Sequence, residues 1–317
     1  MTGNSGTAGV YWRQSIRKDE TGMKDFFAGE GSWLKGNLHT HTTVSDGTFT
    51  PQQTAALYRA NGYDFLCITD HHRCSEAGEA DGLLLLAGVE LNHNYMQPRV
   101  CYHMTGAGLL HPVDLPPTAE PQAMIDALRE AGAFVTLAHP AWSLMTDAHI
   151  RAVHGYDAVE IYNSVSEFYS GRGDSSVQMD TLAAGGILPR VTAADDVHFY
   201  GADACRAFVM VRAASRTREG ILEALYANRF YASQGPQLHS LTQDDDGVIR
   251  VTTSPLRSIL FFSDRFYDGR RVQNAPAGGS LTAAEYAPDP DDTWVRVEGV
   301  DAAGRRVWSN YIDLRKI

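Results

Sequence analysis

Residues 36–47 read GNLHTHTTVSDG, and the interpretation of the whole sequence starts from this stretch. His39 and His41 stand two residues apart, so on a strand both imidazoles point to the same face and one metal ion can bind both. Asp46 follows five residues after His41. A single pair of this kind is weak evidence, and it gains weight only if further ligand-type residues follow other strands.

Further imidazoles and carboxylates do follow the later apolar runs of the sequence. Most fall at or near the C-terminal end of a predicted strand, where barrels of parallel strands assemble their active sites. Any one of them could be a histidine satisfied in the core or a helix-capping aspartate, but that interpretation does not easily explain all of them together. Imidazole nitrogen and carboxylate oxygen are ligands of zinc, manganese and iron ions. The nine candidate metal ligands are His39, His41, Asp46, His71, Glu90, His103, His139, Asp196 and His198.

Secondary-structure signals between residue 36 and about residue 236 predict an α/β region. Short apolar runs alternate there with amphipathic helical patterns, which indicates repeated β-α units and a largely parallel sheet. Thr50-Pro51 predicts the start of a helix. Leu83 to Leu91 is expected to be one continuous buried strand. Other predicted strands lie at 63–69, 133–138, 159–162 and 187–193, and other predicted helices at 120–132, 176–184 and 217–228.

After Gly235-Pro236 the pattern changes to short strands separated by tight turns, as at Asp245-Asp246-Gly247. This change predicts a second domain, a small β-sandwich. The predicted organisation is an N-terminal extension at 1–30, an α/β domain at 31–236 and an all-β domain at 237–317.

The composition excludes several classes of protein. The chain has 317 residues with 27 Lys and Arg against 38 Asp and Glu, a formal net charge of −11. Long nucleic acid and anionic membrane are therefore not expected as partners, since both need a basic surface. No apolar run approaches the ~18 residues of a membrane helix, and Met1 to Val10 lacks a secretory pattern. We expect a cytoplasmic protein whose four cysteines are reduced.

The order of these motifs resembles a known family. Between His39 and His198 the chain reads HxH, SDG, TDH, GxE, a lone His, AHP and DxH, which is similar to the polymerase and histidinol phosphatase (PHP) family of metal-dependent phosphoesterases. The stretches 36–71 and 138–173 resemble the branch that includes carbaryl-hydrolase-like proteins, and the resemblance extends to residues 229–236 and 308–310. It implies an α/β fold, a distorted (β/α)7 TIM-like barrel at 31–236, with a small C-terminal β-sandwich domain.

The resemblance also implies two or three divalent metal ions, Zn, Mn or Fe, and a role for each ligand. Glu90, Asp196 and His198 are implied to be the catalytic residues, and a water or hydroxide between two ions is the expected nucleophile. By position, the first ion would be held by His39, His41, Glu90 and Asp196. Glu90 would bridge to a second ion held by His103 and His139, and Asp46, His71 and His198 would hold the third.

The expected reaction is hydrolysis of a phosphomonoester or phosphodiester of a small molecule or nucleotide. Three divalent ions bring about +6, three carboxylates and one hydroxide remove about four charges, and roughly +2 is left to meet an anionic phosphate. With two ions this surplus shrinks, so hydrolysis of a carboxylic ester, carbamate or amide is the alternative. A metal-stabilised binding module without catalysis is a third possibility. The sequence leaves the physiological substrate and the oligomeric state open.

Polar residues beside the predicted strand ends are candidates for contact with the substrate. Three of them, Asn163, Arg172 and Asp180, follow a predicted strand, and we expect one of the three to contact the substrate. Arg190 and Arg206 could be phosphate clamps or structural ion-pair partners. The set of predicted substrate residues is His72, Arg73, Asn163, Arg172 and Arg206.

Overall fold

The computed structural model describes residues 17–18, 23–95 and 99–316. Most of the predicted N-terminal extension therefore lies outside the described residues, as does the Met1 to Val10 segment. The earlier strands are β1 (Arg17–Lys18), β2 (Lys24–Asp25), β3 (Ser32–Asn37), β4 (Phe65–Cys67), β5 (Gly78–Ala80), β6 (Leu83–Leu86), β7 (Gly88–Asn94), β8 (Cys101–Ala107), β9 (Phe134–Leu137), β10 (Ala158–Asn163) and β11 (Val191–Ala194). The later strands are β12 (Phe208–Ala213), β13 (Phe230–Ser233), β14 (Leu238–Gln243), β15 (Ile249–Leu256), β16 (Ser258–Phe262), β17 (Val272–Asn274), β18 (Leu281–Tyr286), β19 (Trp294–Val300), β20 (Arg306–Trp308) and β21 (Ile312–Asp313).

Helices are short and lie between the strands. They are α1 (Pro51–Ala60), α2 (Pro121–Glu130), α3 (Asp147–Arg151), α4 (Ser164–Ser170), α5 (Ser176–Ala184) and α6 (Arg218–Tyr226). Two 3₁₀ turns span Gly269–Arg271 and Leu314–Lys316. Every helix in the described part of the chain is too short or too polar to span a lipid bilayer.

Helix α1 begins where the sequence predicts it. The Thr50 hydroxyl accepts a hydrogen bond from the Gln53 backbone N–H, and the Gln53 side chain accepts one from the Thr50 backbone N–H. This reciprocal cap satisfies two backbone donors that the first helical turn leaves free, and Pro51 supplies a preset φ angle at the first helical position. The helix prediction at Thr50-Pro51 is confirmed.

The α/β region contains strands from two different sheets. One sheet has the order β11-β10-β9-β8-β7, and a longer one has the order β17-β16-β19-β20-β13-β12-β3-β4-β6-β5, with β21 paired to β19. Strands β3, β4 and β6 pair in parallel, as do β9, β10 and β11. Most of the candidate ligands follow the carboxyl ends of these strands, and Glu90 and His103 lie within β7 and β8.

The stretch from Leu83 to Leu91 differs from its prediction as one continuous strand. It is divided into β6 and β7, which belong to different sheets. At the junction the Ala87 carbonyl accepts hydrogen bonds from Gly108 N and Leu109 N. The next residue is a glycine for steric reasons, because a Cβ on Gly88 would lie 2.3 Å from the Cys67 sulfur.

Strand direction also departs from the expected largely parallel arrangement. Strand β8 pairs antiparallel with both β7 and β9, so Glu90 lies opposite Thr105 and His103 opposite Asn92. Only residues 95–100 connect β7 to β8, and a connection of this length is too short for the crossover that parallel neighbours require, so the two strands run in opposite directions.

The two sheets approach each other beside the candidate ligands. Isolated parallel bridges join Thr40 to Val197 and His71 to Glu90. Regular ladder pairing among the described strands does not continue around these points to close a barrel. The (β/α)7 barrel therefore stays a prediction, while a mixed α/β fold is observed.

The C-terminal strands, together with the N-terminal strands β1 and β2, form two sheets around a shared apolar core. One has the order β1-β2-β14-β15-β18, and the other is the β17-β16-β19-β20 part of the long sheet. Val251 of the first and Phe261 and Val297 of the second belong to one buried cluster. Strand β20 continues into the α/β region by pairing with β13, where Ala232 lies opposite Trp308.

Candidate metal centre

Two strand ends bring the first candidate ligands together. His39 and His41 follow β3, and Asp196 follows β11. The two segments are held side by side, because Asp196 N donates to the His39 carbonyl at 2.9 Å and His41 N donates to the Val197 carbonyl at 3.1 Å. Asp196 has a φ of +51° and His139 a φ of +33°, a backbone region uncommon for residues other than glycine.

Four side-chain atoms, which we call the inner group, meet at the centre. They are His39 Nε2, His41 Nε2, Glu90 Oε2 and Asp196 Oδ1. His39 Nε2 lies 3.2 Å from His41 Nε2, 3.3 Å from Glu90 Oε2 and 3.1 Å from Asp196 Oδ1. His41 Nε2 lies 3.1 Å from each of the two carboxylate oxygens. All four residues are buried.

The inner group has the dimensions and the polarity that a small divalent cation requires. Ligand atoms about 2.1 Å from a common ion at tetrahedral to octahedral angles lie about 3.0–3.4 Å from one another, which matches these distances. Glu90 Oε2 and Asp196 Oδ1 are buried without a hydrogen-bond partner in the part of the chain that the structure describes. Buried acceptors of this kind are costly unless something binds them. The residues therefore fit a metal ion.

Glu90 also faces a second set of imidazoles with its other oxygen. His103 Nδ1 lies 2.9 Å from Glu90 Oε1, and His139 Nε2 lies 3.6 Å from the same atom. The other ring nitrogen of His103 is 2.9 Å from Asn94 Oδ1, which leaves Nδ1 directed at the cluster. His71 Nδ1, 3.1 Å from Glu90 Oε2, completes a second group of potential ligands with Glu90 and His103.

A third group lies nearer the solvent. Asp46 is about half exposed, and its carboxylate is 3.4 Å from His198 Nε2, 3.7 Å from His71 Nε2 and 3.5 Å from His41 Nδ1. The four residues form one potential ligand set. The structure thus brings all nine predicted ligands into one cluster, including the predicted catalytic residues Glu90, Asp196 and His198.

Electrostatic coupling inside the cluster is strong. Burial lowers the pKa of His39, but the Asp196, Glu90 and Glu160 carboxylates outweigh burial and raise it well above the usual value. Burial raises the pKa of Glu90, but the surrounding imidazoles hold it well below its usual range. Positive charge therefore stabilises the buried carboxylates, and either protons on the imidazole rings or bound cations can provide it.

Glu160 is a site residue that the sequence analysis missed. It is buried in β10, where its carboxylate accepts a hydrogen bond from His39 Nδ1 at 2.8 Å and one from the His139 backbone N–H at 2.9 Å. Carboxylates in this position fix the ring orientation of metal-binding histidines. Its signal in the sequence is an acidic residue inside the otherwise apolar run AVEIY at 158–162.

Two aspartates hold the segments that carry the ligands. Asp70 accepts hydrogen bonds from the Thr42 backbone N–H and hydroxyl, both at 2.7 Å, and from the Ser45 hydroxyl at 2.7 Å. Asp195 accepts from Tyr58, at 2.7 Å, and from three consecutive backbone N–H groups at 205–207, each at 2.8 Å. Both segments are therefore fixed before any ligand binds.

Of the predicted substrate residues, Asn163 lies within the cluster. Its amide donates to Glu160 at 2.9 Å and to Asp196 Oδ2 at 3.1 Å. All five predicted substrate residues, Asn163 included, are absent from the lining of the described cavity, so contact between any of them and substrate stays a prediction. Asp180 lies elsewhere and pairs with Arg296 at 3.0 Å.

A cavity of about 610 Å³ opens onto the cluster. Its lining combines ligand candidates with residues of helix α4, Phe199 and Trp142. The Trp142 ring packs edge-on against the rings of His139 and His103, with centroids 4.9 Å and 5.5 Å apart. The cavity is large enough for a small-molecule ligand.

Comparison with known proteins supports the fold. No family model matches the sequence, and no curated protein matches it either. Among solved structures, the chain is similar to a two-domain protein from Bacteroides vulgatus that contains a predicted PHP-like metal-dependent phosphoesterase. The two are 15% identical, with a TM-score of 0.52 over 89% of this chain and 96% of that chain.

Two further solved structures match a smaller part of the chain. A protein from Bifidobacterium adolescentis, described as a metal-dependent phosphoesterase, is 20% identical over 55% of this chain and 90% of its own, with a TM-score of 0.40. An amidohydrolase from Chromobacterium violaceum with bound sulfate is 15% identical over 53% of this chain and 89% of its own, with a TM-score of 0.37. The match to the Bacteroides protein shows a mixed α/β fold like that of a PHP-like protein with a second domain.

Proposed function

We propose that this protein is a metal-dependent hydrolase that cleaves phosphate esters of small molecules at the clustered histidines and carboxylates. The observation that carries the proposal is the inner group, in which His39 Nε2 and His41 Nε2 lie 3.1–3.3 Å from each other and from the two carboxylate oxygens. Both of these buried oxygens have no hydrogen-bond partner among the described residues. The Bacteroides protein of similar fold contains a predicted PHP-like phosphoesterase. We further propose the distorted (β/α)7 barrel at 31–236 and two or three bound ions, zinc, manganese or iron.

Three sets of residues would hold the metal ions. His39, His41, Glu90 and Asp196 would hold one divalent ion, and Glu90 would reach a second held with His103 and His139. Asp46, His71 and His198 would hold a third beside the solvent. Divalent ions in such a site supply Lewis acidity and lower the pKa of water. Glu160 and Asn163 keep His39 and Asp196 in place by hydrogen bonds, so the ligand geometry is formed in advance.

A second candidate function is hydrolysis of a carboxylic ester, carbamate or amide by the same centre. The cavity lining supports this second function, because none of the described residues that line the cavity is a lysine or an arginine. An enzyme for multiply charged phosphates usually surrounds them with such cations. The charge of the bound ions therefore decides between the two functions.

The test is hydrolysis of para-nitrophenyl phosphate and para-nitrophenyl acetate by protein stripped with a chelator and reloaded with Mn²⁺, Zn²⁺ or Fe²⁺. We expect phosphate hydrolysis that requires the metal, and a melting temperature that falls when the metal is removed, because ligands that bind the native state stabilise it. Activity on the acetate alone would reject the phosphoesterase and favour the second candidate.

Ligand variants complete this test. His39→Ala removes one nitrogen of the inner group, so we expect it to lower phosphate hydrolysis at least about 100-fold and to reduce the bound metal measured by elemental analysis. His154→Ala, which changes an exposed histidine outside the cluster, is the matched control. If His39→Ala folds and keeps full activity and metal content, the inner group is not the active centre.

A further inference from the structure

We propose that Tyr169 and Phe199 form a binding surface for a flat aromatic ring on the substrate's leaving group. This inference rests on the proposed hydrolase function and narrows its substrate class to monoesters that carry one phosphate and an aromatic ring. We call the two side chains the aromatic pair. The pair lines the cavity beside the third ligand group.

Both rings of the aromatic pair are exposed although they lie against each other. Tyr169 is 53% exposed and Phe199 is 55% exposed, although their ring centroids are only 4.6 Å apart. Phe199 directly follows the candidate ligand His198, and those two ring centroids are 6.2 Å apart. A ring bound on this surface therefore lies next to the metal cluster, as a leaving group must.

The backbone that carries Phe199 is held rigidly. Asp203 is fully buried, and its carboxylate accepts hydrogen bonds from the backbone N–H groups of His198, Phe199 and Gly201, each at 2.9 Å. Three charge-assisted hydrogen bonds fix a loop more firmly than apolar contacts alone. Phe199 is thus presented at the cavity by a loop with defined hydrogen bonds.

Tyr169 is linked to the candidate metal ligands through its helix. Asn163 caps α4 by accepting a hydrogen bond from Ser166 N at 3.0 Å, and the same side chain donates to Asp196. The helix that carries Tyr169 therefore has a fixed position relative to the inner group. A preorganised aromatic surface binds a flat ring at a low cost in conformational entropy.

The charge of the cavity wall agrees with this substrate class. Next to the aromatic pair the wall offers the small side chains of Ser166 and Ser170, and no described lining residue is a lysine or an arginine. A second phosphate or a long anionic chain would find no positively charged partner on this wall. An uncharged ring finds stacking partners, since offset or tilted aromatic contacts are favourable.

The test compares benzyl phosphate with cyclohexylmethyl phosphate, whose leaving groups have similar size but differ in flatness. We expect the metal-loaded wild type to prefer the benzyl ester in kcat/KM. Phe199→Leu and Tyr169→Leu should each lower kcat/KM for the benzyl ester by roughly 3- to 10-fold and leave the cyclohexylmethyl ester within about twofold. Phe199→Tyr, which keeps a ring, should restore the preference.

The control is Phe266→Leu, which removes a fully exposed ring from a loop of the C-terminal region outside the cavity. It should leave both esters unchanged. Binding of benzylphosphonate and cyclohexylmethylphosphonate, measured by calorimetry, gives the same comparison without turnover. An unchanged benzyl preference in both leucine variants would overturn the proposal.

Benzyl and cyclohexylmethyl acetates separate this inference from the proposed function. If only the acetates are hydrolysed, the phosphoesterase proposal fails, and loss of the benzyl preference in Phe199→Leu still supports the aromatic pair. Comparison of kcat/KM for adenosine 5′-monophosphate and ribose 5-phosphate shows whether the bound ring is a nucleobase. A preference for the nucleotide that Phe199→Leu abolishes assigns a nucleobase, and a preference confined to the benzyl ester assigns a simple aryl group.

Discussion

Glu160 accepts a hydrogen bond from His39 Nδ1 at 2.8 Å, and this contact directs the other ring nitrogen at the inner group. We predict that Glu160→Gln lowers metal affinity about 10- to 100-fold, because the amide is a weaker partner for the ring than the carboxylate. Metal titration by calorimetry measures the change. Glu219→Gln alters an exposed carboxylate and should leave affinity unchanged, and equal affinity in both variants would show that Glu160 does not orient His39.

At the scale of single residues, the candidate metal ligands could be predicted from the sequence, but the residues that hold them in place by hydrogen bonds could not. Each of the nine ligands carries a coordinating atom, and most of them stand just after a strand, a pattern visible in the chain itself. Glu90 and His103 instead lie within β7 and β8. Glu160 and Asp203 act through hydrogen bonds to partners 121 residues away or to nearby backbone, and no spacing rule marks such contacts. The same holds for the substrate candidates, since a loop arginine shows its direction only in three dimensions.

Strands β9 and β10 are linked by Asp157, whose carboxylate accepts a hydrogen bond from Val135 N at 2.9 Å. Burial raises its pKa to about 6, although this hydrogen bond and the charge of Arg129 act in the opposite direction. The folded pKa is above the unfolded value of about 4, so the native state binds this proton more tightly. The resulting stabilisation is present below pH ~4 and is lost as pH rises through 6.

We therefore predict that Asp157→Asn gains stability relative to the wild type as pH rises. The difference in unfolding free energy between variant and wild type should shift in favour of the variant by about 2 kcal/mol between pH 4 and pH 7. Urea unfolding of the metal-free proteins across this range measures the difference. Asp126→Asn changes an exposed aspartate and should show no such trend, and a pH-independent difference for Asp157→Asn would contradict the prediction.

At the scale of elements, the sequence predicts which segments are helix or strand better than it predicts how strands pair. Apolar periodicity located α1 and the strand before Asp195, and cap residues defined the start of α1. The division of 83–91 into β6 and β7 reflects the pairing of each half with a different sheet, which apolar periodicity does not record. The antiparallel direction of β8 depends on the short connection between β7 and β8, which apolar periodicity alone did not reveal.

On the scale of the whole molecule, a buried ion-pair network joins the C-terminal sheet to helix α5. Arg296 of β19 is fully buried and donates to Asp180 of α5 at 3.0 Å and to Glu298 at 3.0 Å. Glu298 is also paired with Arg306. Two carboxylates, Asp180 and Glu298, thus balance the charges of two arginines, and removal of either carboxylate leaves one positive charge uncompensated.

We predict that Asp180→Ala destabilises the protein by about 2–3 kcal/mol, because it leaves a buried guanidinium short of one negative charge. Asp180 is partly exposed, which places the loss below that of a fully buried pair. Asp147→Ala removes a solvent-exposed partner of Arg151 and should cost less than about 1 kcal/mol. Denaturant unfolding compares the two, and equal losses would show that the network does not couple the two regions.

The pairing of β20 with β13 has a consequence for the integrity of the chain. A chain that ended after residue 236 would lack β20, and the backbone N–H and C=O groups of Ala232 and Ser233 would face water without the strand that now covers them. Trp308 would also leave the face of Tyr162, against which it stacks at 5.7 Å. A bare strand edge beside an uncovered apolar face is a template for self-association. The C-terminal strands thus cover a strand edge through which the region with the candidate metal ligands would otherwise self-associate.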